Sequence, residues 1–220
     1  MLNLKKLPLL IFDLDGTLID SADDLLFAMN SMLTKHQRSS VDRATLVSHI
    51  GDGLYKLVND FFPEFPTQSH ENIEKVDEFL KIYEEHLTHR TILYPDVFDF
   101  LNRYKGPKAL VTNKNIKPTQ LIFQHFKLDQ MNWVSLIGGD SLAEKKPSAL
   151  PLTHVMNLIG YSADNTWMIG DGRPDMLSAQ AAGCKKIAVH YGYSKPEELA
   201  VYKPQHVLER FSDLRHLLKI

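Results

Sequence analysis

The sequence predicts an α/β protein: a doubly wound parallel sheet with an all-helical domain inserted after its first strand. Three observations lead there. Five short runs of branched and aromatic residues, Leu9–Phe12, 109–111, 134–137, 167–169 and 187–189, are each bounded by turn residues, and a weaker sixth lies at His206–Leu208. Amphipathic stretches of helical period, 117–126, Leu150–Ile159 and 174–182, separate the later runs. Such alternation builds a parallel sheet with helices on both faces. Lastly, roughly ninety-five residues separate Asp13 from Ala109, where a strand-to-strand crossover needs only about a dozen or more.

Leu9–Phe12 reads as a strand buried on both faces, ending in Asp13-Leu14-Asp15-Gly16-Thr17. Strand alternation would point Asp13 and Asp15 the same way and Leu14 into the core. Paired like charges repel and Gly packs nothing, so this is a poor structural element. It suits a hard cation and a phosphate. Ser21 fits a helix start, with Asp23 and Asp24 meeting the positive end of the helix dipole. A helix over 22–33 carries Leu25, Leu26, Met29, Met32 and Leu33 at helical spacing. A longer one carries Ile73, Val76, Phe79, Leu80, Tyr83 and Leu87. Between them, 42–50 and 54–62 read as helical, followed by a Pro63/Pro66 loop. The expected division is therefore a core of 1–19 and 93–220 and a helical domain of 20–92. Hinges fall near 18–21 and 91–95, and 97–104 is the returning core helix.

Composition narrows the function classes. The chain has 220 residues, 44% hydrophobic and 24% charged, which is ordinary for a soluble enzyme. A net charge of -2 without a basic block argues against nucleic acid or an anionic membrane as partner. Lys5-Lys6 before the apolar residues 7–12 faintly resembles a secretion signal, but the run is short and Asp13 interrupts it. No segment approaches the ~18 apolar residues of a membrane span. The single cysteine, Cys184, reads as a small buried residue and suits a reducing compartment, so a cytoplasmic monomer or small homo-oligomer is expected. His86 and His89 are spaced for a metal but lack a partner ligand, and read as surface residues.

In an open parallel sheet the ligand crevice lies beyond the carboxyl ends of the strands. The first run is followed by Asp13, Asp15 and Thr17, and the second by Thr112 and Asn113. The third leads to Lys145-Lys146-Pro147, and the fourth to Gly170-Asp171 with Asp175 beyond. Acids, a hydroxyl, an amide and a lysine thus converge on one rim.

In this order, these motifs resemble those of the haloacid dehalogenase superfamily, and the inserted helices resemble its phosphoglycolate phosphatase and β-phosphoglucomutase type of cap. Leu93-Tyr94-Pro95, Thr112-Asn113-Lys114, Lys146-Pro147 with Pro151, and Tyr191-Gly192-Tyr193 are similar to the phosphoglycolate phosphatase branch in particular. Gly172 and Pro174 depart from that branch, where Ser and Asn are usual, without removing a carboxylate. The resemblance implies a Rossmann-like core and a phosphatase acting on a small phosphorylated metabolite with Mg²⁺. Asp13 is then the nucleophile and forms an aspartyl-phosphate, and Asp15 is the acid/base. The protein ligands of the metal would be Asp13, Asp171 and the main-chain carbonyl of Asp15, with Asp175 acting through water or orienting Lys146.

Physical chemistry agrees with that picture. Phosphate monoesters react so slowly that enzymes supply up to ~10²¹-fold acceleration, and a carboxylate nucleophile divides the step. Clustered carboxylates select a hard cation. Thr112, Asn113 and Lys146 offer hydrogen bonds and charge to phosphoryl oxygens, and Gly16 lets backbone N–H groups come close. Lys114 reads as exposed. The loop Gly51-Asp52-Gly53, flanked by His49 and Lys56, reads either as a ligand contact or as a helix–helix turn needing positive φ. Alternatives are another small phosphoester or pyrophosphate, a sugar-phosphate mutase, or, from a different class, a phosphoacceptor signalling domain.

Overall fold

The computed structural model describes residues 7–218, so Lys5 and Lys6 of the signal-like stretch lie outside the described residues. Strands β1 (Leu9–Phe12), β4 (Lys108–Val111), β5 (Leu136–Ile137), β6 (Thr166–Gly170), β7 (Lys185–Val189) and β8 (His206–Leu208) form one sheet in the order β5-β4-β1-β6-β7-β8. Every pairing in it is parallel. The two short strands numbered between them, β2 (Ile19–Asp20) and β3 (Ile92–Leu93), pair antiparallel with each other.

The chain runs outward from β1 through β4 to β5, then returns to β6 on the other side of β1. That reversal opens a crevice at the carboxyl ends of β1 and β6. All four residues of β1 are fully buried. Leu10 and Phe12 pack with α5 (Val97–Arg103), α6 (Ile116–His125) and α10 (Asp213–Leu218), while Leu9 and Ile11 face α7 (Leu150–Ile159) and α8 (Arg173–Ala182). Burying each such side chain contributes about 1.5–3 kcal/mol, so the central strand is a rigid base for the residues that follow it. A short helix, α9 (Pro196–Ala200), links β7 to β8.

Between β2 and β3 lie α1 (Ala22–Lys35), α2 (Arg43–Val47), α3 (Leu54–Phe61) and α4 (His70–His86). The inserted element is helical, as its periodicity required. Leu25, Met29, Met32, Val58, Phe62, Phe79 and Tyr83 are buried among them.

Two local expectations change. The strand stops at Phe12, and the chain then turns, with Asp15 in an isolated bridge to Ile19. A turn therefore aims Asp15, not strand alternation, although Leu14 is buried as expected. Ser21 precedes α1 but makes no side-chain cap, because its hydroxyl donates to Asp15 instead. Asp24 stands in the first turn of α1, as expected, and has a further role. It is buried and accepts hydrogen bonds from Arg90 N–H (3.0 Å), Thr91 N–H (2.8 Å) and Thr91 Oγ1 (2.6 Å).

Candidate active site

Asp13 follows β1, Asp171 follows β6, and Asp175 lies in the first turn of α8. Each presents a carboxylate oxygen within 4.8 Å of the other two. The main-chain N–H of Asp13 donates to Ile169 O (2.9 Å), which ties the first acid to the neighbouring strand. Asp13 Oδ1 accepts from Leu14 N–H at 2.7 Å and from Lys146 Nζ at 2.9 Å. Asp171 accepts from Thr17 Oγ1 (3.1 Å) and the N–H of Tyr193 (2.8 Å). Asp175 accepts from Lys146 Nζ (2.5 Å) and Gly172 N–H (2.9 Å).

Burial raises the pKa of Asp171 well above the usual carboxylate range, and the charges of Asp13 and Asp175 push it further. Asp175 is raised for the same reasons, desolvation first and Asp13 second, with Lys146 opposing. Burial disfavours the charge on Lys146, but Asp13 and Asp175 more than offset that and raise its pKa. One ammonium thus faces three clustered carboxylates. The donor set is all oxygen and short of positive charge, so the residues fit a hard divalent cation.

Asp15 stands outside this group. Its carboxylate accepts from Ser21 Oγ (2.5 Å) and from Lys114 Nζ (3.1 and 3.2 Å). Lys114, expected on the surface, is buried: its side chain is 7% exposed, with Nζ 4.7 Å from the ring centre of Tyr83 on α4. Burial works against its charge, and Asp15 raises its pKa above the usual lysine range. The sequence held one hint of this, since Lys114 directly continues the polar pair Thr112-Asn113.

Gly16 has φ +76°, and a Cβ there would stand 2.1 Å from Asp171 Oδ2. Only glycine permits that approach. Thr112 is buried, and its Oγ1 accepts from Lys114 N–H (3.2 Å), which leaves its own proton to donate. Asn113 uses its side-chain amide group on Gly51 O and Lys146 O, both at 2.9 Å, so its side-chain donors serve structure. Lys146 is 1% exposed and sits behind Asp13 and Asp175, away from the cavity wall.

A cavity of about 630 Å³ opens in front of these groups, lined by Asp13, Asp15, Thr112, Asn113, Asp171 and Asp175 from the core side. The loop Gly51-Asp52-Gly53 lies across it. Gly51 O accepts from Asn113, Asp52 O from Lys145 Nζ (2.6 Å), and Asp52 Oδ1 is 3.9 Å from Arg173. Neither His49 nor Lys56 is free for a ligand, as both pair with Asp60.

Residues 10–189 match the haloacid dehalogenase-like hydrolase family. The chain belongs to that family. Among its curated relatives, a phosphoglycolate phosphatase of Chromobacterium violaceum is 35% identical over 210 residues, 90% of this chain and 91% of that protein. One from Neisseria gonorrhoeae is 40% identical over 192 residues, 83% of this chain and 79% of the relative. In structure, a predicted phosphoglycolate phosphatase from Haemophilus somnus superposes with a TM-score of 0.86 at 28% identity, covering 97% of this chain and 99% of its own. The chain is thus a hydrolase of this family, and its acidic cluster has the donors to hold a divalent metal.

Proposed function

We propose that the chain is a magnesium-dependent phosphatase of phosphate monoesters, with 2-phosphoglycolate as the first substrate to assay. In this reading 1–19 and 93–220 form the catalytic core, 20–92 form the cap domain, and the protein works in the cytoplasm on a small phosphorylated metabolite. The observation that carries the reading is the meeting of Asp13, Asp171 and Asp175 around one point, with Asp15 held apart by its own partners. The relatives' names supply the ester.

Asp13 Oδ1 is held by Leu14 N–H and Lys146, which leaves Oδ2 to attack phosphorus. As that bond forms, the bond from phosphorus to the ester oxygen breaks, and Asp15 gives the leaving alkoxide its proton. Asp15 then takes a proton from water, whose oxygen attacks the aspartyl-phosphate. Inorganic phosphate leaves and Asp13 is restored. Asp13, Asp171 and the main-chain carbonyl of Asp15 would hold Mg²⁺, which when bound offsets the negative charge of nucleophile and phosphoryl group. Asp175 keeps Lys146 in place behind them. The Thr112 hydroxyl and the main-chain N–H of Asn113 are set to donate to phosphoryl oxygens, whereas the N–H of Gly16, expected from the sequence to approach the phosphate, donates to Ile19 O (2.9 Å) instead.

The test is release of phosphate from a generic aryl phosphate with and without Mg²⁺. Turnover that vanishes on chelation and in Asp13→Asn supports the reading. Turnover equal in the native and Asp13→Asn proteins refutes it.

A further inference from the structure

The helical side of the cavity differs in chemistry from the core side. Every inserted helix contributes apolar side chains to it: Leu25 from α1, Val47 from α2, Leu54 and Leu57 from α3, and Leu80 from α4. The volume of about 630 Å³ equals that of roughly twenty waters at about 30 Å³ each, and falls in the ~300–1,000 Å³ range that encloses drug-sized ligands. A two-carbon acid would leave most of it wet. The basic residues in the wall are also engaged. Arg43 is bound to Asp20 (2.6 Å) and Asp23 (3.1 Å), His49 to Asp60 (3.0 Å), and Lys114 to Asp15. Among the described residues that leaves Lys195, which is exposed and belongs to the core side. No lining cation on the helical side is available to a second anionic group of a substrate without breaking an ion pair.

We propose that the helical half of this cavity is a binding pocket for the uncharged, apolar organic group of a phosphate monoester, which extends the substrate range to esters bulkier than phosphoglycolate. The proposal rests on the phosphatase reading for its turnover, but not on the identity of the ester. The walls remove apolar surface from water while the phosphoryl group sits at Asp13, so each added apolar group gains binding free energy.

The experiment compares ethyl, butyl and 2-phenylethyl phosphates, whose leaving alkoxides are of similar basicity, with 2-phosphoglycolate as reference. Because the chemical step is matched, kcat/KM ranks the pocket. From ethyl to 2-phenylethyl phosphate, kcat/KM rises about 10- to 100-fold, the factor that burial of one aromatic side chain confers. Leu80→Asn lowers kcat/KM for 2-phenylethyl phosphate about tenfold more than for ethyl phosphate. Equal values for the ethyl and 2-phenylethyl esters, or equal losses for both in Leu80→Asn and in a second variant, Leu54→Asn, overturn the pocket. Calorimetry of the same esters on Asp13→Asn reads the ranking without turnover. A protein that binds in that order yet hydrolyses nothing refutes the phosphatase reading and keeps the pocket. One that hydrolyses all three esters alike does the reverse.

Discussion

Replacing Lys146 by Met removes the only positive charge that, among the described residues, lies against the clustered acids. Its Nζ lies 2.9 Å from Asp13 Oδ1 and 2.5 Å from Asp175 Oδ1, and the side chain is 1% exposed. Met has similar length, so packing is largely kept and the loss is electrostatic. Removing one member of a buried ion pair typically costs about 3–5 kcal/mol. For a chain of this size that lowers Tm by roughly 6–20 °C. Asp175 recovers part of the cost by holding a proton, since its pKa is already raised by burial and by Asp13. A divalent cation restores the missing charge. Binding at one hundred times Kd adds about 2.7 kcal/mol to any protein that holds the ion only when folded. The variant should gain more, because in it the ion relieves a larger repulsion. The assay is thermal melting of both proteins in EDTA and across a Mg²⁺ titration. The expected result is a large deficit in EDTA that narrows with Mg²⁺, together with loss of phosphatase activity. Equal Tm in EDTA, or parallel Mg²⁺ responses, would refute the assignment of Lys146 and the acids to one electrostatic unit.

The pH dependence follows from the raised carboxyl of Asp171. Between its usual value and its raised one, the folded state holds a proton that the unfolded state has lost, so stability falls as pH rises through that window. In EDTA, Tm should therefore climb as pH is lowered through that window, and saturating Mg²⁺ should flatten the slope; a slope unaffected by the ion contradicts the shared site. Asp15→Asn should lower turnover about 10²- to 10⁴-fold. Rapid-quench intact mass should then find a phosphoryl group retained on Asp13, and near-normal turnover would remove Asp15 from the acid/base role. Asp24→Ala leaves the donors of Arg90 and Thr91 without their acceptor. Losing them costs about 2–4 kcal/mol, or roughly 4–16 °C of Tm by differential scanning calorimetry, and a shift below about 2 °C would show that the exit from the helical insertion is not held by Asp24.

The sheet was legible because its central strands are buried on both faces and so read as unbroken apolar runs. Their polar ends were harder to see. Lys108 and Lys186 extend β4 and β7 by lying along the core, with Lys186 Nζ reaching Tyr202 O. The edge strand β5 is shorter than its apolar run of 134–137: Val134 and Ser135 precede it, although Val134 N–H still donates to Lys108 O and Ser135 O still accepts from Leu110 N–H. Strands β2 and β3 pair over two residues each and carry no periodic signal. In the site, the acids stood out because a charge directly after a buried strand has no structural reason to be there. Lys114 did not, since its burial depends on Tyr83, which reaches it from a helix far away in sequence.

The same reason explains why the loop Gly51-Asp52-Gly53 supported two readings. As a turn it needs positive φ, and Gly51 and Gly53 have +127° and +89°. As a close contact it needs the absence of a side chain, and a Cβ on Gly53 would stand 2.5 Å from Lys145 Nζ. The turn reading holds at both glycines, and the close approach at Gly53 is made to the chain's own Lys145. Local sequence expresses the first through the glycine itself, whereas the second is set by Asn113, Lys145 and Arg173, which only folding brings to the loop. What a single sequence hides here is the far partner of each residue, not the residue's own chemistry.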